Sequence, residues 1–216
     1  MSGLFSSDGK VNKTLEIIKN LMILGILSMV CCLPIVTIGS SLTALNDVAL
    51  KLARGEEGYI TKDFFRSFKK NFKPATAIWL LMMALLIFFL MDIYIIRHTS
   101  VDFPDFMKIV IVVALAVVLL VMTYMFPMIA RFENTLKGYL KNGIMMTLLN
   151  LPKAILMLVL YALPSVIGGY FYEIIPLVLI CGLSVPAWLS AKLIYGKYFL
   201  GMEEKIEAME NKKVGV

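Results

Sequence analysis

The sequence predicts an all-α membrane protein, a polytopic bundle of about five transmembrane helices that forms a single membrane domain over residues 1–216. Two observations predict this class. Of the 216 residues, 60% are hydrophobic and only 17% are charged, whereas about a quarter of the residues of a typical soluble domain are charged. The apolar residues are also gathered in runs of about 20, the length that a helix needs to cross the hydrocarbon core of a bilayer. These runs show no strict alternation, which favours helices over the strands of a membrane barrel.

Five runs are long enough to span a membrane as helices. They cover residues 21–45, 75–96, 106–130, 153–169 and 174–195. Lysines before the first run give it some likeness to a signal peptide. No cleavage site of small residues follows, so we expect this segment to be retained.

The first run is interrupted, because Pro34 removes a backbone donor and Gly39 loosens the backbone. The hydroxyl of Thr37 lies between them and is available to backbone groups that the break frees. We predict one full span with a kink, because residues 21–45 hold no charge and are long enough. Two alternatives stay open. One is a re-entrant hairpin that enters and leaves on the cytoplasmic side, and the other is a broken helix that lines a substrate site.

Lysine and arginine are concentrated in three of the stretches outside the runs. Residues 46–74 carry seven of them, residues 131–153 carry four and residues 192–216 carry five. Basic loops stay in the cytoplasm, so we expect a multi-pass membrane protein with a cytoplasmic C-terminus and, for five spans, an external N-terminus. Three lysines in the N-terminal tail, which would then be exported, oppose this arrangement. The net charge of +6 follows from these loops, and we expect no nucleic-acid partner.

The longest loop contains a sharply amphipathic segment at residues 61–73, whose period is that of a helix. Phenylalanines occupy one arc and basic residues the opposite side. The residues that define the pattern are Phe64, Phe65, Phe68 and Phe72, and Arg66, Lys69 and Lys70. This pattern is typical of a helix that lies on a membrane surface, where anionic lipid of the cytoplasmic leaflet attracts basic side chains. The alternative is a helix that packs against the protein's own helix ends.

Charged residues inside or near the runs are few. Asp92 lies near the outer end of the second run, and we interpret it as the partner of Arg97 at the membrane interface. A mixed cluster lies at the predicted cytoplasmic helix ends and comprises Asp47, Glu56, Glu57, Arg131 and Glu133. We predict ion pairs between helices there, with a docking surface for a partner as the alternative.

Nothing in the sequence indicates an enzyme. The chain has one histidine, His98, and three cysteines in apolar stretches. The cysteines follow no metal-binding spacing and are interpreted as small buried hydrophobes. We therefore expect no metal, no cofactor and no catalytic residue.

The order and spacing of three segments resemble the YesL-like family of bacterial membrane proteins. The segments are LPIVTIGSSLTALNDVALKLARGEE (33–57), FFRSFKKNF (64–72) and ARFENTLKGYLKNG (130–143), the last of which contains Arg131, Glu133 and Asn134. The family is a domain of unknown function, so the resemblance assigns no catalytic residue. Its members are often encoded beside carbohydrate ABC transporters. The resemblance therefore implies an accessory or regulatory role in carbohydrate uptake, with ABC transporter subunits as partners.

Two other classes of function are compatible with the residues. A stand-alone small-solute transporter or channel would use the broken first helix, although the runs contain no repeat and little charge. A membrane enzyme acting on lipid would need a nucleophile, an acid–base pair or a metal site. The loops offer no such cluster.

Overall fold

A computed structural model describes residues 4–56, 58–98, 104–170, 173, 178, 180–196 and 199–201 of the chain. The ordered elements of this part are helices. They are α1 (Leu4–Cys32), a 3-10 turn (Ile35–Thr37), α2 (Ile38–Arg54), α3 (Ile60–Lys70), α4 (Phe72–His98), α5 (Asp105–Arg131), α6 (Leu136–Leu149), α7 (Leu151–Tyr170) and α8 (Ser184–Ser190), which a π-helical turn continues (Ala191–Tyr195). The predicted all-helical class is confirmed for these residues.

Among the described residues, five helical segments are long and apolar enough to cross a membrane. They are Val11–Cys32, Ile35–Arg54, Phe72–Ile96, Phe106–Arg131 and Leu151–Tyr170. By length and composition this agrees with a multi-pass membrane protein. The last three segments match the predicted runs at 75–96, 106–130 and 153–169. The predicted run at 174–195 falls partly outside the described residues, and its described part contains α8 and the π-helical turn.

The first predicted run corresponds to two helices in the structure. α1 ends at Cys32 and α2 begins at Ile38. They fold back on each other, and the Ser41 hydroxyl donates to the Ser28 carbonyl at 2.9 Å. Pro34 separates the two helices in an extended conformation, because a proline cannot continue the helix before it. A helical hairpin, which we name the α1–α2 hairpin, thus replaces the single kinked span that we predicted over 21–45.

The tip of the α1–α2 hairpin lies against the beginning of α4. The Trp79 indole Nε1 donates to the Ile35 carbonyl at 2.8 Å. A Cβ atom on Gly39 would lie 2.5 Å from the Ala75 carbonyl oxygen, so glycine is required for this close approach. α4 continues for about 28 Å beyond Trp79, at about 1.5 Å per residue. The tip therefore lies far from the opposite end of α4.

α2 forms the centre of the bundle. It contacts α1, α3, α4, α5 and α8, and all but one of the residues from Gly39 to Leu50 are buried. One apolar core joins α2 to α4, α5, α6, α7 and the π-helical turn. A second core joins α2 to α1, α3 and α8. α2 is therefore enclosed by protein although it is long enough to span a membrane.

α6 was not predicted, because residues 131–153 were interpreted as a basic loop. Thr135 caps its N-terminus and accepts from the Gly138 amide at 3.2 Å. The Tyr139 hydroxyl donates to the Phe132 carbonyl at 2.7 Å, which folds α6 back onto the end of α5. A Cβ atom on Gly143 would lie 2.9 Å from the Met125 sulfur, so the two helices pack closely here.

Candidate functional site

A charged cluster forms where the C-terminal ends of α2 and α5 meet. Arg131 lies between two carboxylates, with its Nε 3.9 Å from Asp47 Oδ1 and its Nη2 3.5 Å from Glu56 Oε1. Arg54 also reaches Glu56, at 3.7 Å. The structure thus brings together Asp47, Glu56 and Arg131 of the predicted cluster, whereas Glu133 pairs with Lys70 of α3 instead. Glu57, which was grouped with them, lies outside the described residues.

The Asp47 carboxylate is the most deeply placed charge of this cluster. Only 8% of Asp47 is exposed, and the buried Ser67 of α3 lies within hydrogen-bonding reach of it. A buried charge is costly unless it is paired and hydrogen-bonded. The positive charges of Lys51 and Arg131 and the Ser67 hydroxyl meet part of this need, so Asp47 ties α2 to both α5 and α3.

A polar network lies inside the bundle beside this cluster. Asn46 Oδ1 accepts from the Tyr161 hydroxyl at 3.2 Å and from the Tyr195 hydroxyl at 3.1 Å. Its Nδ2 donates to the Leu42 carbonyl at 2.8 Å. This network was not predicted from the sequence, because the tyrosines lie 115 and 149 residues from Asn46. The available signal was an asparagine directly after the apolar run at residues 21–45.

A cavity of about 250 Å³ adjoins the network. Its walls are mostly apolar side chains of α2, α4, α5 and α7, and Asn46, Thr123 and Tyr161 supply its polar groups. The hydroxyls of Thr123 and Tyr161 already donate within the protein, to the Leu120 carbonyl and to Asn46. Few polar groups of the cavity wall therefore remain for a ligand.

The phenylalanines of the amphipathic segment are divided between protein and surface. Phe64 is fully buried in the core that α3 shares with α1 and α2. Phe68 packs against the same core and is partly buried. Phe65 and Phe72 are 40% and 37% exposed. One side of α3 thus packs against the protein's own helices, which was the alternative interpretation of this segment, and two rings remain open to the surroundings.

The opposite side of α3 and the start of α4 carry exposed basic residues. They are Lys62, Arg66, Lys69, Lys70 and Lys73. Asp63 forms ion pairs with basic residues of two helices. Its Oδ1 lies 3.6 Å from Lys51 Nζ of α2 and 3.7 Å from Arg66 Nη1 of α3. These pairs orient α3 along α2 and leave most of its basic face open.

The loop between α5 and α6 reaches α3 through one ion pair. Lys70 Nζ lies 2.8 Å from Glu133 Oε1, and the hydrogen bond from this ammonium lowers the pKa of Glu133. The next residue shapes the loop. The backbone N–H of Asn134 donates to the Tyr139 hydroxyl at 3.0 Å. The side-chain Oδ1 of Asn134 accepts from the backbone N–H of Thr135 at 2.9 Å. Glu133 therefore links the loop to α3, while Asn134 fixes the fold of the loop.

The remaining predicted residues lie apart from the charged cluster. Pro34, Thr37 and Gly39 form the tip of the α1–α2 hairpin, where the Thr37 hydroxyl lies 2.6 Å from the Cys31 carbonyl oxygen. Asp92 is half-buried on α4, and the side chain of Arg97, its proposed partner, lies outside the described part of the structure.

No group of three histidine, cysteine, aspartate or glutamate side chains that could hold a metal ion occurs in the described part of the chain. The absence of a cofactor and of an enzymatic activity stays a prediction.

Comparison with known proteins gives one match. Residues 17–93 match a family model described as "Protein of unknown function, DUF624". The matched part contains the end of α1, the hairpin tip, α2, α3 and most of α4. No curated protein and no solved structure matches the chain. The match thus shows a similarity to this family over residues 17–93 of the chain.

Proposed function

We propose that this chain is a multi-pass protein of the bacterial cell membrane that assists or regulates carbohydrate uptake and is not itself an enzyme. The observation that supports the proposal is α3, a helix with one side anchored in the protein and the other side exposed and basic. The resemblance to YesL-like proteins suggests the class of partner, which is a subunit of an ABC transporter.

The anchoring of α3 suits a docking surface. Phe64 is fully buried and Ser67 is 4% exposed, and Asp63 is paired with Lys51 of α2. A surface that is already ordered loses little conformational freedom when a partner binds, so more of the contact energy remains as affinity. Lys62 and Arg66 lie on the open side and would attract an acidic surface of the partner.

The same helix fits the surface of a bilayer. Phe65 and Phe72 are exposed and α4, which begins at Phe72, is long and apolar enough to span the membrane. Basic loops favour the cytoplasmic side, where anionic lipids concentrate. We therefore put α3 at the cytoplasmic face, with its lysines near lipid headgroups.

The α1–α2 hairpin changes the orientation that we propose for the N-terminus. Since α1 and α2 fold back on each other, the beginning of α1 lies on the same side as α3. Residues 16–23 of α1 and 58–65 around the start of α3 flank one open groove. In this arrangement the tail lysines are not exported, which removes the conflict with an external N-terminus.

Cysteine accessibility tests this orientation. Ser6→Cys is made in a background without the native cysteines and treated with a membrane-impermeant thiol reagent on intact protoplasts. We expect protection in intact protoplasts and labelling after lysis. Ser100→Cys, in the stretch predicted to be external, serves as the positive control. Labelling of Ser6→Cys in intact protoplasts would overturn the cytoplasmic N-terminus.

Site-specific photocrosslinking tests the partner. A photoreactive residue replaces Arg66, whose side chain is 66% exposed, in cells grown with an inducing sugar. The matched control carries the same residue at Leu90, on the apolar surface of α4. We expect a crosslink to a transporter subunit from position 66 alone. If position 66 captures no transport protein, or both positions capture the same one, the proposal is wrong.

A second candidate function is a stand-alone small-solute transporter, and the cavity beside Asn46 is the observation that favours it. The helix break offers less support, because Gly39 packs against Ala75 and Trp79 and leaves no space for a substrate there. Uptake of labelled sugars into proteoliposomes that hold only the purified protein would establish this function. A broad panel of sugars without uptake would remove it.

A further inference from the structure

The junction of α3 and α4 carries a basic groove of about 530 Å³. Its lining residues are Phe68, Lys69, Lys70, Phe72, Lys73 and Pro74. Half of them are lysines and none is acidic. This groove, which we name the junction groove, therefore presents a concentrated positive charge beside aromatic rings.

The junction groove lies where a membrane span begins. The candidate span Phe72–Ile96 starts within it, and Leu80 and Leu81, farther along α4, are exposed apolar residues. Lysines at the end of a membrane helix direct their ammonium groups toward the headgroup layer while their stems lie along apolar surface. The groove is thus positioned at the boundary between headgroups and hydrocarbon.

The turn that carries the groove is held by the protein. Asn71 is 6% exposed, and its Nδ2 donates to the Ser67 carbonyl at 3.1 Å. The rings of Phe68 and Phe72 pack with their centroids 5.7 Å apart. The lysine backbones are therefore fixed relative to one another before any ligand arrives.

From the charge, the position and the fixed turn, we infer that the junction groove binds the headgroup of an anionic glycerophospholipid. The phosphate lies among the ammonium groups of Lys69, Lys70 and Lys73. The glycerol and the first acyl carbons lie against Phe72. The aromatic contact selects a lipid over a free phosphate ion, because a free ion has no apolar part to place there.

Lys70 connects this site to the rest of the protein. Its Nζ lies 2.8 Å from Glu133 Oε1, and the two side chains are 60% and 83% exposed. Such an exposed pair is weak and readily exchanged. A lipid phosphate that binds the Lys70 ammonium breaks the Lys70–Glu133 ion pair. The contact between α3 and the loop that joins α5 to α6 is then lost. Binding of lipid and the Lys70–Glu133 pair therefore compete.

This inference rests on the proposed position of α3 at the membrane surface and extends it to a defined site. It is tested by titrating the purified full-length protein in mild detergent with phosphatidylglycerol or phosphatidylcholine and counting bound lipids by native mass spectrometry. We expect one phosphatidylglycerol to bind more tightly than any phosphatidylcholine. The triple variant Lys69→Gln, Lys70→Gln, Lys73→Gln is expected to weaken this binding by about tenfold or more, since each basic residue near the surface adds to the attraction.

Two further variants separate a site from general attraction. The triple variant Lys62→Gln, Arg66→Gln, Lys137→Gln removes the same charge outside the groove and is expected to retain most of the affinity. Glu133→Gln removes the competitor for Lys70 and is expected to raise the affinity severalfold. Equal losses in the two triple variants, or an unchanged affinity in Glu133→Gln, would overturn the inference.

Excess inorganic phosphate is the last arm of the experiment. We expect it to leave phosphatidylglycerol bound, and displacement would show a plain anion site instead of a lipid site. Thermal unfolding of each variant checks that the fold is retained. Because no transporter is present, failure here leaves the partner proposal standing, and failure of the crosslinking experiment leaves this titration unaffected.

Discussion

α2 and the outer part of α4 lie in opposite surroundings, and α4 is the more apolar helix, with a mean hydropathy of 2.5 against 1.2 for the segment that contains α2. α2 is enclosed by five other helices, and it buries polar groups such as Ser40, Ser41 and Asn46. The part of α4 beyond Trp79 exposes large apolar side chains such as Leu80 and Leu90. α2 and α4 each lie in a segment that is long enough to span a membrane, but only α4 exposes an apolar surface over most of its length.

The difference follows from what lipid can and cannot solvate. Hydrocarbon offers no partner to a hydroxyl, an amide or a carboxylate, so a helix that carries them must be covered by protein. Hydrocarbon is as apolar as leucine, so an apolar helix gains little by leaving it. α2 is therefore positioned by specific contacts with other helices. The outer part of α4 is positioned by its apolar length and by packing against α5.

The largest expected effect is the loss of the buried ion pair of α2. Arg131→Met removes the guanidinium partner of the buried Asp47 carboxylate, while Lys51 and Ser67 still offset part of its charge. We therefore expect a loss of about 3 kcal/mol in the free energy of unfolding, the low end of the cost of breaking a buried pair. Denaturant unfolding in mild detergent measures it. Arg66→Met, which removes an exposed pair on α3, is the matched control and should change stability by less than about 0.5 kcal/mol.

A double variant separates charge from packing at this pair. Asp47→Asn combined with Arg131→Met removes both charges, and we expect it to recover part of the stability that Arg131→Met loses. No recovery would mean that Arg131 acts by packing, or through Glu56, and not by neutralising Asp47.

A matched pair of leucine truncations tests the comparison directly. Leu45 of α2 is fully buried by protein, and Leu90 of α4 is 55% exposed. Leu45→Ala opens a cavity that lipid cannot fill, and we expect a loss of about 2 kcal/mol. Leu90→Ala exchanges one lipid-facing side chain for another and should be nearly neutral. Equal losses in the same unfolding assay would contradict the contrast between the two helices.

The polar network of α2 is expected to give a similar or smaller effect. Asn46→Ala removes the acceptor of the Tyr161 and Tyr195 hydroxyls, and burying unpaired hydroxyls costs about 1–3 kcal/mol. Tyr161→Phe leaves Asn46 bonded to Tyr195 and should cost less. Combining Asn46→Ala with Tyr161→Phe and Tyr195→Phe should recover stability relative to Asn46→Ala alone, and a further loss would show that the hydroxyls have other partners.

The contrast also explains how far the sequence could predict the fold. The predicted runs at 75–96, 106–130 and 153–169 end within three residues of α4, α5 and α7, because a lipid-facing helix must be apolar over its whole length. The hairpin was harder to predict. Residues 21–45 lack charge whether the chain crosses once or turns back, and Pro34 permits both. The contact between Gly39 and Ala75, which places the hairpin tip beside α4, has no local signal.

The candidate site, like the fold, could be predicted from the sequence only in part. The charges of Asp47 and Arg131 could be grouped from the sequence, since both follow apolar runs and would lie near one membrane face. Their separation and the burial of Asp47 depend on α2 being enclosed. The amphipathic pattern of α3 placed its phenylalanines on one arc, but only packing against α1 and α2 decides that Phe64 is buried and Phe65 exposed.

The smallest expected effect concerns the exposed counterpart of the buried pair, Lys70 with Glu133. The ammonium of Lys70 lowers the pKa of Glu133, so the pair stabilises the folded protein fully above the ordinary pKa of a glutamate. This stabilisation is lost as the pH falls through the lowered pKa. We expect the double variant Lys70→Gln, Glu133→Gln to unfold slightly more easily than the wild type near neutral pH and equally below that pKa. The thermal midpoints of the two proteins, measured across the acidic range, test this. A difference that grows as the pH falls would mean that Glu133 is stabilised in its protonated form and that the exposed pair is not what joins α3 to the loop before α6.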